Sequence, residues 1–147
     1  MRPRPALLGM NNPISSDQRL ALWPAPEGCT GWRIWKMLNE RTGATRSQYT
    51  KRFLRLNACS DRVWSRPSRE RVAELLTQLR GHEVVVFGES VRRALGIPKE
   101  LMLPQRDEVH DITWRQLPHP SGRCLWYNDD LNSALASKLL ADLYNGE

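Results

Sequence analysis

Apolar residues along this chain fall into short compact runs separated by longer amphipathic stretches. Four of the runs read as strands: 6–8 (Ala6-Leu7-Leu8, ending at Gly9), 54–58 (Leu54-Arg55-Leu56-Asn57-Ala58), 83–87 and 112–117. The third, Val84-Val85-Val86-Phe87 behind Glu83, is apolar without interruption, as expected of a strand buried on both faces of a parallel sheet. Between the runs the period changes. Trp32, Trp35 and Leu38 stand at helical spacing and predict a helix over 32–41 that Gly43 ends. Val72, Leu75, Leu76 and Leu79 recur at i, i+3, i+4 and i+7, with Ser65 and Ser68 available as N-caps, Pro67 suited to a first turn and Gly81 as the stop. A short helix follows Gly88-Glu89-Ser90 and stops before Gly96 and Pro98. The last helix starts near Asn128, with Asp129 and Asp130 at the positive end of its dipole and Leu131, Leu135, Leu139 and Leu143 as a stripe.

Strands alternating with helices predict an α/β fold: a three-layer α/β/α domain around a central, mainly parallel four-stranded sheet, with 1–147 as one domain. Two irregular segments stand out. Residues 10–31 are rich in Pro, Ser and Gly, and loops of that length inside a compact domain are usually functional. In Pro118-His119-Pro120-Ser121-Gly122 the two prolines forbid both helix and central strand. Both follow strand C-terminal ends, where open α/β sheets place their sites.

Composition narrows the reading. The longest apolar run, 84–87, is far too short to cross a membrane, so a soluble chain is expected. The basic start, Arg2-Pro3-Arg4, precedes an apolar stretch too brief for a signal-peptide core, which reads as a tail followed by a strand in a cytoplasmic or nucleoid-associated protein. The 3 cysteines, Cys29, Cys59 and Cys124, are odd in number and far apart, so neither a metal site nor a cofactor is expected. Lys and Arg total 22 against 16 acids, a formal net charge of +6, and most of the positive residues are arginine. Arginine suits phosphate and stacks on bases. Composition alone leaves open a nucleic-acid partner and a basic surface with no specific partner.

Gly9-Met10-Asn11-Asn12-Pro13, directly after the first run, resembles the first motif of the mismatch-specific and single-strand-selective branches of the uracil-DNA glycosylase superfamily. Ser15-Ser16 and Trp32-Arg33-Ile34-Trp35-Lys36 extend the similarity to the mismatch-specific branch, and His119-Pro120-Ser121-Gly122-Arg123 resembles the superfamily's second motif. Leu56-Asn57-Ala58 looks like the strand end that carries the base-reading asparagine. The order holds over nearly the whole chain.

The resemblance implies a monomeric, monofunctional glycosylase that flips a base out of DNA and hydrolyses its N-glycosidic bond, as in base-excision repair. Its substrate would be uracil or a modified or mismatched pyrimidine, in single- or double-stranded DNA. His119 would donate a hydrogen bond to the pyrimidine O2 as charge builds there, and Asn11 would hold the attacking water. An amide cannot accept the proton as a carboxylate can, so slow turnover is expected. Asn12 departs from the usual spacing and leaves open which of the two asparagines faces the water; Asn11 is preferred.

Asn57, with one donor and one acceptor, can pair with N3–H and O4 of uracil, and Met10 belongs to the base-binding turn. Trp23 can be the platform under the base or a cover on the core edge. Ser121 and Gly122 would contact flanking phosphates, and Arg123 would fill the gap left by the flipped nucleotide. Cys124 departs from the asparagine often found at that point. Arg46, Lys51 and Arg52 offer an accessory basic face. Two other readings are a DNA-binding module of the same fold with weak or lost catalysis, and an N-glycosidase acting on nucleosides or nucleotides.

Overall fold

The computed structural model describes residues 3–146. Its centre is a sheet of five strands, β1 (Ala6–Gly9), β2 (Leu54–Asn57), β3 (Glu83–Phe87), β4 (Gln105–Asp107) and β5 (Ile112–Leu117), in the order β2-β1-β3-β5-β4. The first three and β5 run parallel, and β4 pairs antiparallel with β5 at the edge. The α/β architecture is therefore as expected, with one strand more than the four that the apolar runs predict. That strand, Gln105-Arg106-Asp107, has no apolar residue, because an edge strand with its side chains in solvent needs none.

Strand side chains alternate between faces, and two cores follow from that period. Leu7, Val85, Phe87 and Leu117 point to one face, where they meet Ile34 and Leu38 of α1 (Thr30–Thr42), Tyr49 of α2 (Arg46–Arg52), and Ala136, Leu139, Leu140 and Leu143 of α5 (Asp130–Asn145). Ala6, Leu8, Val84, Val86, Ile112 and Trp114 point to the other, against Leu75 of α3 (Arg69–Gln78), its C-cap Leu79, and Val91 of α4 (Glu89–Leu95). Each fully buried Leu, Val or Phe contributes about 1.5–3 kcal/mol over leaving it in water.

The helices differ from expectation at their ends. Cys29 caps α1, so the helix opens two residues earlier than 32, and its C-cap Gly43 is left-handed (φ 74°). Ser68 rather than Ser65 caps α3, accepting a hydrogen bond from the Arg71 N–H. The basic segment before β2 forms α2, closed by a reciprocal capping box between Thr45 and Gln48. In α5 the leucine stripe is only half right. Leu139 and Leu143 are buried, whereas Leu131 is 67% and Leu135 39% exposed. A repeat of four drifts around a 3.6-residue helix, and Ala136 and Leu140 take the inward positions instead. No helix among the described residues is long and apolar enough to cross a membrane.

The chain leaves β1 over one face to reach β2 and returns over the other face to β3, on the opposite side of β1. This reversal opens a crevice at the C-terminal ends of β1 and β3, where doubly wound sheets bind ligands.

Candidate active site

Loops after β1, β2 and β5 converge at that crevice. The loop after β1 is organised by Asn12, whose Oδ1 accepts from the backbone N–H groups of Ile14 and Ser15 and whose Nδ2 donates to the Leu20 carbonyl. Asn11 uses only its amide nitrogen, donating to the Arg62 carbonyl at 2.7 Å, and among the described residues no donor occupies its Oδ1. The two asparagines thus separate by role: Asn12 holds the loop, and Asn11 keeps an acceptor free.

The same loop returns through Leu22 and Trp23 to α1. Leu22 adopts a left-handed conformation (φ 50°), and its carbonyl accepts a 2.8 Å hydrogen bond from the buried Tyr49 hydroxyl. Gly31 lets α1 pack against this turn, because a Cβ there would stand 2.1 Å from the Trp23 carbonyl oxygen. Trp23 is 40% exposed, with the Arg55 guanidinium 5.1 Å from its ring centroid. Asn11, Asn12, Leu22, Trp23, Thr30 and Ser121 line a cavity of about 350 Å³.

Asn57 ends β2 and is 2% exposed. Its backbone is clamped: Gln18 accepts from the Asn57 N–H, and Arg71 donates to the Asn57 carbonyl at 2.7 Å. Its side-chain Oδ1 is buried, and no protein donor reaches it. A Cβ on Gly9 would lie 2.9 Å from Asn57 Oδ1 and 2.9 Å from Leu22 Cδ2, so these two side chains share the space in front of Gly9.

His119 stands on the partition between two cavities. It lines a space of about 420 Å³ with Glu89, Arg92, Arg123 and Trp126, while its Nε2 lies 3.4 Å from the Thr30 hydroxyl on the wall of the first. Burial holds its pKa below the ordinary histidine value, so the imidazole is neutral at neutral pH. Gly88 (φ 98°) makes room for it, since a Cβ would approach His119 Cβ to 3.2 Å. The Ser121 N–H bonds the His119 carbonyl, and the Cys124 N–H bonds the Ser121 carbonyl, which folds 119–124 into a tight turn.

Asn11, Trp23, Asn57, His119 and Ser121 are therefore brought to one end of the sheet. Gly122 and Arg123 are exposed on the same turn, Gly122 on the first cavity and Arg123 on the second. Met10 packs its side chain against the α3 and α4 core and does not line the first cavity. Of the accessory basic residues, Arg46 stacks on Trp35 at 4.7 Å and Arg52 donates to the carbonyls of Leu143 and Tyr144, so both have local structural partners.

Thr30, Arg55 and Arg71 join the site without having been singled out from the sequence. Arg55 had a signal, a charge between the two leucines of a strand; Thr30 and Arg71 are ordinary helix residues with none. A further cavity of about 300 Å³ opens at the opposite end of the sheet, lined by Pro5, His82, Glu83 and Arg106, and shares no residue with these loops. No group of three or more His, Cys, Asp or Glu among the described residues could hold a metal ion. No family model matches the chain, and no curated protein matches it in sequence.

Proposed function

We propose that the chain is a monofunctional DNA glycosylase that hydrolyses the N-glycosidic bond of a flipped-out uracil or modified pyrimidine. The observation that carries the reading is the buried Asn57 Oδ1, an acceptor with no protein donor, at the end of a strand and behind Leu22, which with Asn11 and Trp23 lines the first cavity while Asn57 itself does not. An unsatisfied buried polar atom costs about 1–3 kcal/mol, a cost that a ligand N–H removes. N3–H of uracil supplies that donor, and O4 accepts from Asn57 Nδ2.

In this reading the base lies against Trp23, with Leu22 shifting away from Asn57 as the base enters. As the N1–C1′ bond breaks, its electron pair moves onto the pyrimidine and negative charge gathers at O2. The neutral His119 imidazole donates from Nε2 to that oxygen, exchanging its long contact with Thr30 for a charge-assisted bond. The free Oδ1 of Asn11 orients a water whose oxygen bonds C1′; the proton it releases finally neutralises the departing base. No carboxylate drives this step, so turnover is slow.

The Ser121 hydroxyl, the Gly122 N–H and the Arg123 guanidinium are the donors for the flanking phosphates, the Ser121 N–H being held by the His119 carbonyl. The binding-module alternative draws on the seat of Leu22 beside Asn57, which fills the space where a base would be read.

Labelled single- and double-stranded oligonucleotides carrying uracil, 5-hydroxymethyluracil, mismatched thymine or a modified cytosine, treated with alkali after incubation, test the proposal. Strand cleavage that Asn11→Ala and His119→Ala both suppress is the expected result. Binding without cleavage of any substrate would replace the glycosylase with the binding module. Cleavage of free nucleosides but not of DNA would favour the nucleoside enzyme.

A further inference from the structure

A fourth cavity opens on the flank of the molecule, between the first turns of α1 and the start of α5. It has a volume of about 220 Å³ and is lined by Trp32, Arg33, Lys36, Glu40, Ser121 and Tyr127. Ser121 also lines the Asn11 and Trp23 cavity, so the two spaces adjoin across the Ser121-Gly122 turn. Arg33 stands on this divide. Its Nε donates to the Gly28 carbonyl at 2.9 Å, and its Nη2 lies 3.3 Å from where a Cβ on Gly122 would be. A guanidinium between two adjoining cavities, each with a tryptophan in its wall, suits a nucleic-acid strand: a phosphate over the divide and a base on either side.

We propose that the α1 groove is the seat of the nucleotide next to the reacting one, and that it accepts that nucleotide only from an unpaired strand. This rests on the DNA reading above and adds the identity of the substrate's flanking contact. Trp32 provides the stacking surface, and Lys36, whose Nζ lies 4.9 Å from the Trp32 ring centroid, is exposed and able to swing onto a phosphate. Glu40, one turn further along α1, repels a backbone that continues down the helix, so the groove holds one nucleotide and the strand then leaves the surface. A paired base is stacked in its own helix and cannot lie on Trp32, so duplex DNA does not use the groove.

The test is fluorescence anisotropy with a labelled thymidine trinucleotide, a thymidine octanucleotide and a hairpin duplex, on wild type, Trp32→Ala, Trp32→Tyr and Lys36→Ala. The octanucleotide is expected to bind wild type more tightly than the trinucleotide. Trp32→Ala should weaken octanucleotide binding about tenfold, in line with the loss of one base–aromatic stack, and Trp32→Tyr should restore most of it. Lys36→Ala, at an exposed position on which folding does not depend, should lower the salt slope for the octanucleotide by about one. Duplex binding should be the same in all four proteins.

Octanucleotide binding unchanged by both alanine variants, or an equal loss on octanucleotide and duplex, would overturn the groove while leaving the glycosylase reading intact. A wild type that binds none of the three probes would overturn both.

Discussion

The Tyr49 hydroxyl donates to the Leu22 carbonyl at 2.8 Å, inside the core and 27 residues away along the chain. The bond ties α2 to the turn that presents Trp23, and it holds Leu22 in a left-handed conformation that a leucine adopts only under constraint. Burial raises the Tyr49 pKa well above the ordinary tyrosine range, so the hydroxyl stays a donor at any working pH. Scaffold and site are thus joined at one point.

Tyr49→Phe removes the donor and leaves a buried carbonyl unpaired, which should cost about 1–3 kcal/mol of stability. It should also lower kcat/KM on DNA, because the Leu22-Trp23 turn loses its anchor. Thermal melting and cleavage assays on the same protein give both readouts. A destabilised variant with full activity would show that Tyr49 supports the core without positioning the loop.

Asn57 offers a sharper separation of stability from function. If its Oδ1 were structural, removing it would destabilise the fold; because no protein donor reaches that oxygen, Asn57→Ala relieves an unpaired acceptor while losing some packing. The expectation is a change in stability within about 1 kcal/mol and a loss of base discrimination. Asn57→Asp, which buries a carboxylate with no partner, should be clearly less stable, and increasingly so as pH rises above the carboxyl's ordinary range. Denaturant titrations of the three proteins decide it, and an Asn57→Ala variant several kcal/mol less stable would remove the ligand-reading role.

These residues also mark how far sequence pattern reaches. Parallel strands buried on both faces leave an apolar run, so β1 and β3 were legible; β5 was legible from its alternation, with Ile112 and Trp114 buried and Thr113 and Arg115 half-buried, and the candidate site's place at the C-terminal ends followed from topology. Edge strand β4 and helix α2 were not, since neither depends on an apolar pattern: one faces solvent, and the other is set by the Thr45 and Gln48 capping box with Tyr49 as its only buried residue. Asn11, Asn57 and His119 could be picked out by motif. Their division of labour could not, because it depends on which side-chain atoms the loop consumes: Asn12 spends both ends on Ile14, Ser15 and Leu20, while Asn11 spends one.

That division predicts opposite phenotypes for neighbouring residues. Asn12→Ala should loosen the loop, lowering the melting temperature and raising protease sensitivity between 12 and 20, with activity falling as a consequence. Asn11→Ala should leave the melting temperature near wild type and abolish turnover while preserving DNA binding. Limited proteolysis beside single-turnover cleavage separates the two, and identical profiles for the two variants would show that the roles are not divided.

His119 gives the last prediction, in pH. Its pKa in the folded protein lies below the value near 6.5 of an unperturbed histidine, because burial penalises the imidazolium. The unfolded chain therefore binds the proton more readily. The stability gained by burying a neutral ring is complete above pH 6.5 and is lost as pH falls through the folded pKa. In the proposed mechanism activity should follow the same direction for a separate reason: the neutral ring donates its Nε2–H to the base oxygen without a charge first being placed in the wall. Single-turnover rates should be flat around neutrality and fall on an acid limb whose midpoint lies below the ordinary histidine value. His119→Gln, which keeps a donor but cannot titrate, should retain partial activity and lose that limb, and its melting temperature should depend less on pH between 5 and 7. An acid limb that persists unchanged in His119→Gln would assign the titration to another group and leave His119 without the role proposed for it.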